Sequence, residues 1–254
     1  MTVAAAPAVA LGELLLTMAD DEFVIGFSDS EWTGIAPLLE EDVAMSSLAQ
    51  DELGHAAALY DVLAELTGSD RDVLAYDREP AAYRHARLLD HGRGDWAMTV
   101  ARRWWYETAD AVRLEALADG SWAPLRELVA KIRREETYHR RHVATWVERL
   151  AAADGEPRDR FVAALHALAD DGATVFTPLD GEAELLAAGI LTASLADQER
   201  AWRTDLAPTL DRLDLPAPRS APRPDGRGPE HGPAFAWLHG EFTMVRRSDP
   251  GATW

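Results

Sequence analysis

Apolar residues in this chain recur at intervals of three and four, and period-two alternation is almost absent, so the pattern predicts helices throughout. A first helix is expected over residues 11–32. A second is expected to begin near Pro37, with the proline in its first turn, and to stop at Thr67-Gly68. Val43, Leu48, Leu59, Val62, Leu63 and Leu66 would form its buried stripe. Residues 69–80 turn polar and read as a connection; a short helix over 81–89 then ends at His91-Gly92-Arg93-Gly94. Long helices are expected over 95–118 and 123–153, punctuated by Asp119-Gly120, Pro124 and Asp154-Gly155. Two more are expected over 157–170 and 182–210. Residues 216–233 are rich in Pro, Gly and Arg and read as an extended segment, flexible or wrapped on a partner. A final helix over 234–247 and a short tail close the chain.

Two Glu-x-x-His pairs, Glu52/His55 and Glu136/His139, fall inside the second and fourth long helices. Helical spacing of i and i+3 aims a carboxylate and an imidazole at one point. One such pair proves little, but each has a Glu about one helical hairpin upstream: Glu22 lies 30 residues before Glu52, and Glu107 lies 29 before Glu136. That offset lets the chain run down one helix and return to the same height on the next. Two pairs plus one Glu from each of two further helices make the ligand set of a ferritin-like di-iron or di-manganese site. The flanking positions are mainly apolar (Leu15, Met18 and Ile25 beside Glu22; Val129, Ile132 and Val143 beside Glu136), so these carboxylates should face a core, where they must be paired, neutralised or metal-bound. Asp21, Glu31, Asp110 or Glu115 could stand in for Glu22 or Glu107, and Arg103 could pair with Glu107. Asp51 could orient a ligand histidine from outside.

The reading is therefore an all-α, ferritin-like bundle in one domain over 1–254, with a core bundle at about 8–211 and an extended segment plus final helix at about 212–254. Its site residues are Glu22, Glu52, His55, Glu107, Glu136 and His139, and no catalytic side chain beyond them is singled out. Tyr138, Arg133 and Arg134 are weaker candidates for substrate contact, through an aromatic wall or a phosphate clamp; ordinary packing and a solvated face compete with that role. The chain has no cysteine, which excludes disulfides, a thiolate nucleophile and iron–sulfur or cysteine–zinc sites. A net charge of -19 repels nucleic acid and anionic membranes. No basic region leads the apolar start, which Glu13 interrupts, so neither a signal peptide nor a membrane span is expected and a cytoplasmic location is.

Residues at both ends carry a family resemblance. Ser30-Glu31-Trp32 through Leu39-Glu40-Glu41-Asp42, and Phe235-Ala236-Trp237-Leu238 through Gly251-Ala252-Thr253-Trp254, resemble the C subunit of the bacterial phenylacetyl-CoA epoxidase family. Ala49-Gln50-Asp51-Glu52-Leu53-Gly54-His55 resembles instead the metal-binding stretch of the A subunit. The resemblance implies a ferritin-like fold and a place in a multicomponent monooxygenase of phenylacetate catabolism. In that family the A subunit holds the di-iron centre, and the C subunit pairs with it as a scaffold whose ligands are mostly replaced; here all six stand. It implies two Fe ions, with Mn the alternative, electrons from a separate reductase, an acyl-CoA substrate and other oxygenase subunits as partners in a homo- or hetero-oligomer. A non-catalytic partner subunit, or a ferritin-like storage or peroxide-defence protein, are the alternatives.

Overall fold

The computed structural model describes residues 5–219 and 225–249, with side chains from residue 7. The helices are α1 (Ala5–Ser30), α2 (Leu39–Thr67), α3 (Arg71–Tyr76), α4 (Trp96–Ala118), α5 (Ala123–Ala152), α6 (Glu156–Leu168), α7 (Glu182–Ala187), α8 (Leu195–Leu213) and α9 (Pro233–Ser248). No strand occurs among the described residues. Two helical hairpins, α1 with α2 and α4 with α5, join through α2 against α5; α6 and α8 cover α4, while α7 and α9 lie on α1. The helices are those the periodicity predicts, and they pack as the ferritin-like bundle that the paired ligand motifs imply, with extra helices outside it. No helix among the described residues is long and apolar enough to cross a membrane.

Every residue from 17 to 26 of α1 is buried, which makes α1 an inner helix of the bundle. Its three consecutive acids, Asp20, Asp21 and Glu22, are therefore all inside and each needs partners. Asp20 accepts from Tyr60 Oη (2.5 Å), Arg78 Nη1 (3.0 Å) and the Arg84 backbone N–H (2.6 Å). Asp21 accepts from the Ala86 N–H (2.7 Å) and from Arg113 and Arg227. These demands explain one departure from the sequence reading. Residues 81–89 do not form a helix but two 3-10 turns, Pro80–Ala82 and Arg87–Asp90, because the N–H groups of residues 84 and 86 are taken by the α1 carboxylates.

Other departures are local. The stretch read as a connection contains α3, whose N-cap Asp70 accepts from the N–H groups of Asp72 and Val73. α2 starts at Leu39 rather than Pro37, and its acidic first turn (Glu40, Glu41, Asp42) suits a helix N-terminus. Val43 is 65% exposed, and Met45 takes its place on the buried stripe with Leu48, Glu52, His55, Leu59 and Leu63. The helix read over 182–210 is broken: α7 stops before Gly189, which has a φ of 67°, and Ser194 caps α8 by accepting from the Asp197 N–H. The described parts of the extended segment fold back on this chain, with the Arg219 N–H on Ala169 O (2.9 Å) and the Arg87 N–H on Gly226 O (2.8 Å). Gly251 to Trp254, part of the family resemblance, lie outside the described residues.

α1 and α2 approach closely at Gly26, where a Cβ would come within 2.9 Å of Leu53 Cγ and 3.1 Å of Glu52 Cβ. Gly26→Val should destabilise the chain by about 1–3 kcal/mol through overpacking. Gly54, on the open face of α2 with nothing within 4 Å of its would-be Cβ, should do the reverse: Gly54→Ala should stabilise by roughly 0.5–1 kcal/mol. Paired denaturant melts check both signs, and equal shifts would mean that the helices are not in contact here.

Candidate metal centre

The six side chains singled out by spacing meet in the middle of the four long helices, each buried: Glu22 from α1, Glu52 and His55 from α2, Glu107 from α4, Glu136 and His139 from α5. They fall into two overlapping groups that share Glu52 and Glu136. One adds Glu22 and His55, the other Glu107 and His139. His55 Nδ1 stands 3.5 Å from Glu22 Oε2, 3.7 Å from Glu52 Oε2 and 3.5 Å from Glu136 Oε1. His139 Nδ1 stands 3.3 Å from Glu52 Oε1, 3.1 Å from Glu136 Oε1 and 4.0 Å from Glu107 Oε1. The alternative acids point elsewhere: Asp21 to Arg113 and Arg227, Asp110 to Arg113, Glu31 to Arg93 and Glu115 to Arg133.

The imidazoles are oriented from outside in a reciprocal way. His55 Nε2 lies 2.8 Å from Glu135 on α5, and His139 Nε2 lies 3.2 Å from Asp51 on α2. A metal-bound, neutral ring that donates Nε2–H outward would turn its Nδ1 lone pair inward. Asp51 is legible in the sequence. Glu135 is missed there, although it precedes Glu136 as Asp51 precedes Glu52, and that parity is the available signal. A third rung, His142 Nε2 to Glu41 (2.7 Å), continues the same α2–α5 seam. Tyr106 Oη donates to Glu22 Oε1 (2.8 Å) and accepts from Arg113 Nη2 (3.1 Å).

The electrostatics are those of a site shaped for cations. Burial and the neighbouring charge of Glu52 push the Glu22 carboxyl well above the usual range. Burial opposes the charge on Glu52 too, but the adjoining Glu22 carboxyl and the His139 imidazole hold it well below. Burial works against charged imidazoles, yet the surrounding carboxylates push His55 and His139 up to about 12. Burial also raises Glu107 well above its ordinary value, and Asp110 to about 6. Glu22 Oε2, Glu52 Oε2, Glu107 Oε2, Glu136 Oε1 and both Nδ1 atoms are buried without a hydrogen-bond partner. Such orphans are costly, and a divalent cation in each group would satisfy them. The donor set, carboxylate oxygen with imidazole nitrogen, suits iron or manganese. Arg103 also reaches in. Its Nη2 lies 2.9 Å from Glu52 Oε1 and pairs with Glu107 Oε1, while Nη1 pairs with Asp29. Burial opposes its charge, but Glu107, Asp29 and Glu52 outweigh that and keep it protonated.

The weaker candidates lie apart from this centre. Tyr138 is 73% exposed, turned about 200° around α5 from Glu136. Arg133 is exposed and pairs with exposed Glu115, and exposed Arg134 bonds the Ala130 carbonyl of its own helix. A second His/Asp group is invisible to spacing. Asp90 accepts from His85 Nε2 (2.6 Å), His231 Nδ1 (2.9 Å), Arg87 Nη1 (2.8 Å) and the Gly232 N–H (3.2 Å). Four donors satisfy this carboxylate, which clasps the C-terminal segment to the bundle.

Fold and site together define a ferritin-like helical bundle enclosing a carboxylate–histidine centre able to hold metal. The chain matches the family model described as "Phenylacetic acid catabolic protein" over residues 2–254, and it belongs to that family. It is 26% identical over 241 residues to the C subunit of 1,2-phenylacetyl-CoA epoxidase from Escherichia coli (strain K12), covering 94% of this chain and 97% of that protein. It is also 27% identical over 123 residues to the A subunit of the same enzyme, covering 48% of this chain and 40% of that protein.

Proposed function

We propose that this chain is a component of a multicomponent di-iron oxygenase of phenylacetate catabolism, acting on phenylacetyl-CoA or a related acyl-CoA, with Glu22, Glu52, His55, Glu107, Glu136 and His139 as metal ligands. One observation carries the reading: within a chain of this family, six buried side chains from four helices turn unpartnered oxygen and nitrogen atoms toward each other. Bound iron would supply O2 activation with electrons from a separate reductase. The chain's own part is to place Glu52 and Glu136 where both groups share them and to fix each imidazole through Glu135 and Asp51. It also keeps water out, since all six ligands are at most 3% exposed.

A second reading, a non-catalytic partner of a separate catalytic chain, draws support from the full-length similarity to the epoxidase's C subunit. One experiment separates the two. The purified chain is loaded anaerobically with Fe(II), reduced, and exposed to O2 with and without phenylacetyl-CoA, alone and with a homologue of the epoxidase's A subunit. Oxygenated acyl-CoA from the chain alone, lost in Glu52→Ala, is the expected result. Product only in the mixture, unchanged by Glu52→Ala, would replace the catalytic reading with the partner one. Iron uptake far beyond two ions per chain would point to storage.

A further inference from the structure

The two halves of the centre are not equivalent. In the half around His55, the nearby carboxylate atoms Glu22 Oε2, Glu52 Oε2 and Glu136 Oε1 have no hydrogen-bond partner, and neither has Nδ1. In the half around His139, Nδ1 and Glu136 Oε1 at 3.1 Å are likewise without a partner, but the other two facing oxygens, Glu52 Oε1 and Glu107 Oε1, are both held by the Arg103 guanidinium. Arg103 is 1% exposed, so it cannot simply swing into water to make room. It does have another anchor: Nη1 already pairs with Asp29, whose other oxygen binds Arg102 Nη2 at 3.1 Å.

We propose that the two positions load unequally. A divalent cation enters the His55 half first, and Arg103 holds the His139 half until an incoming second cation displaces it from Glu52 and Glu107 toward Asp29. The inference rests on the metal-binding reading above and adds an order and a gate to it. Charge argues the same way. One divalent ion together with Arg103 largely neutralises the four carboxylates, so the second ion meets a weaker attraction as well as two charge-assisted bonds to break. Without the guanidinium, the residual negative charge would draw the second ion in.

Mn(II) titration followed by electron paramagnetic resonance reads this directly and needs no turnover. In the wild type the first equivalents should give the spectrum of an isolated ion, with a spin-coupled pair forming only at large excess. In Arg103→Gln the gap between the two dissociation constants should narrow by about 10- to 100-fold, the scale of a lost charge-assisted bond. Arg103→Lys keeps the charge at reduced reach and should retain a wide gap. A coupled pair from the first equivalents in the wild type would overturn the proposal while leaving the metal site standing, and that measurement does not depend on a variant folding. The same gap in Arg103→Gln and wild type, with far-UV circular dichroism unchanged, would overturn it too. No Mn(II) or Fe(II) bound by either protein overturns the metal-binding reading, and this inference with it.

Discussion

Iron content falls to the background of a metal-free control in Glu136→Ala and in Glu52→Ala. These two carboxylates belong to both halves of the centre, so losing either removes a ligand from each position at once. Glu136 Oε1 lies 3.5 Å from His55 Nδ1 and 3.1 Å from His139 Nδ1, which leaves no position outside its reach. Neighbours set the scale of the effect. Glu135→Ala, one residue earlier, removes the acceptor that orients His55 and should weaken metal binding by about 10–100-fold without abolishing it. Glu148→Ala, on an exposed turn of α5 where Glu148 meets Arg212, should leave iron content unchanged. A second readout separates lost ligation from lost fold. Glu136→Gln keeps the shape of the side chain and an oxygen facing both imidazoles while removing the charged ligand, so the metal-free variant should melt close to the metal-free parent. Unchanged iron in both alanine variants would sink the ligand assignment. So would a large fall in melting temperature on Glu136→Gln, since the carboxylate would then be structural.

The order of the helices and the convergence of the six side chains were legible because both follow from spacing. Period 3.6 places Leu48, Glu52, His55 and Leu59 on one face of α2, and a hairpin offset near thirty returns the chain to the same height. What was not legible depends on partners far away in sequence. Residues 83–86 carry helix-compatible side chains, but the α1 carboxylates claim the N–H groups of Arg84 and Ala86, and nothing in the local pattern announces that. Asp90 and His231 are 141 positions apart, with no period connecting them. Arg103 was half legible. Its i+4 spacing to Glu107 suggested the pair, but its hold on Glu52 comes from a different helix and required the packed bundle. Tyr138 shows the opposite error, an aromatic inside a Glu-x-x-His motif that helical geometry turns outward: two positions from Glu136 is about 200° around the axis.

Arg227→Ala should cost about 3–5 kcal/mol in a denaturant melt, the scale of a buried ion pair that loses one partner. Arg227 comes from the Pro/Gly/Arg-rich segment and is 8% exposed. Its two terminal nitrogens grip Asp21 as a fork, Nη1 to Oδ1 at 2.9 Å and Nη2 to Oδ2 at 2.8 Å. They also donate to the Arg84 carbonyl (2.7 Å) and the Val175 carbonyl (3.1 Å), so one side chain ties the C-terminal segment to α1 and to two connecting loops. Burial works against an ionised Asp21, but Arg227 and Arg113 outweigh it and hold its carboxyl below the usual range. Truncation would leave that carboxylate with Arg113 and the Ala86 N–H, and the two carbonyls without these donors. Arg227→Lys, with the charge but no fork, should recover part of the loss. Limited proteolysis of Arg227→Ala should cut first within residues 225–249, before the bundle opens. The same bonds continue from Asp21 through Arg113 and Tyr106 to Glu22. If the strap positions that ligand, Arg227→Ala should also weaken metal binding under conditions where the bundle stays folded, and Arg227→Lys should restore it in proportion. A stability loss under about 1 kcal/mol, the worth of an exposed pair, would mean that Arg227 does not anchor the segment.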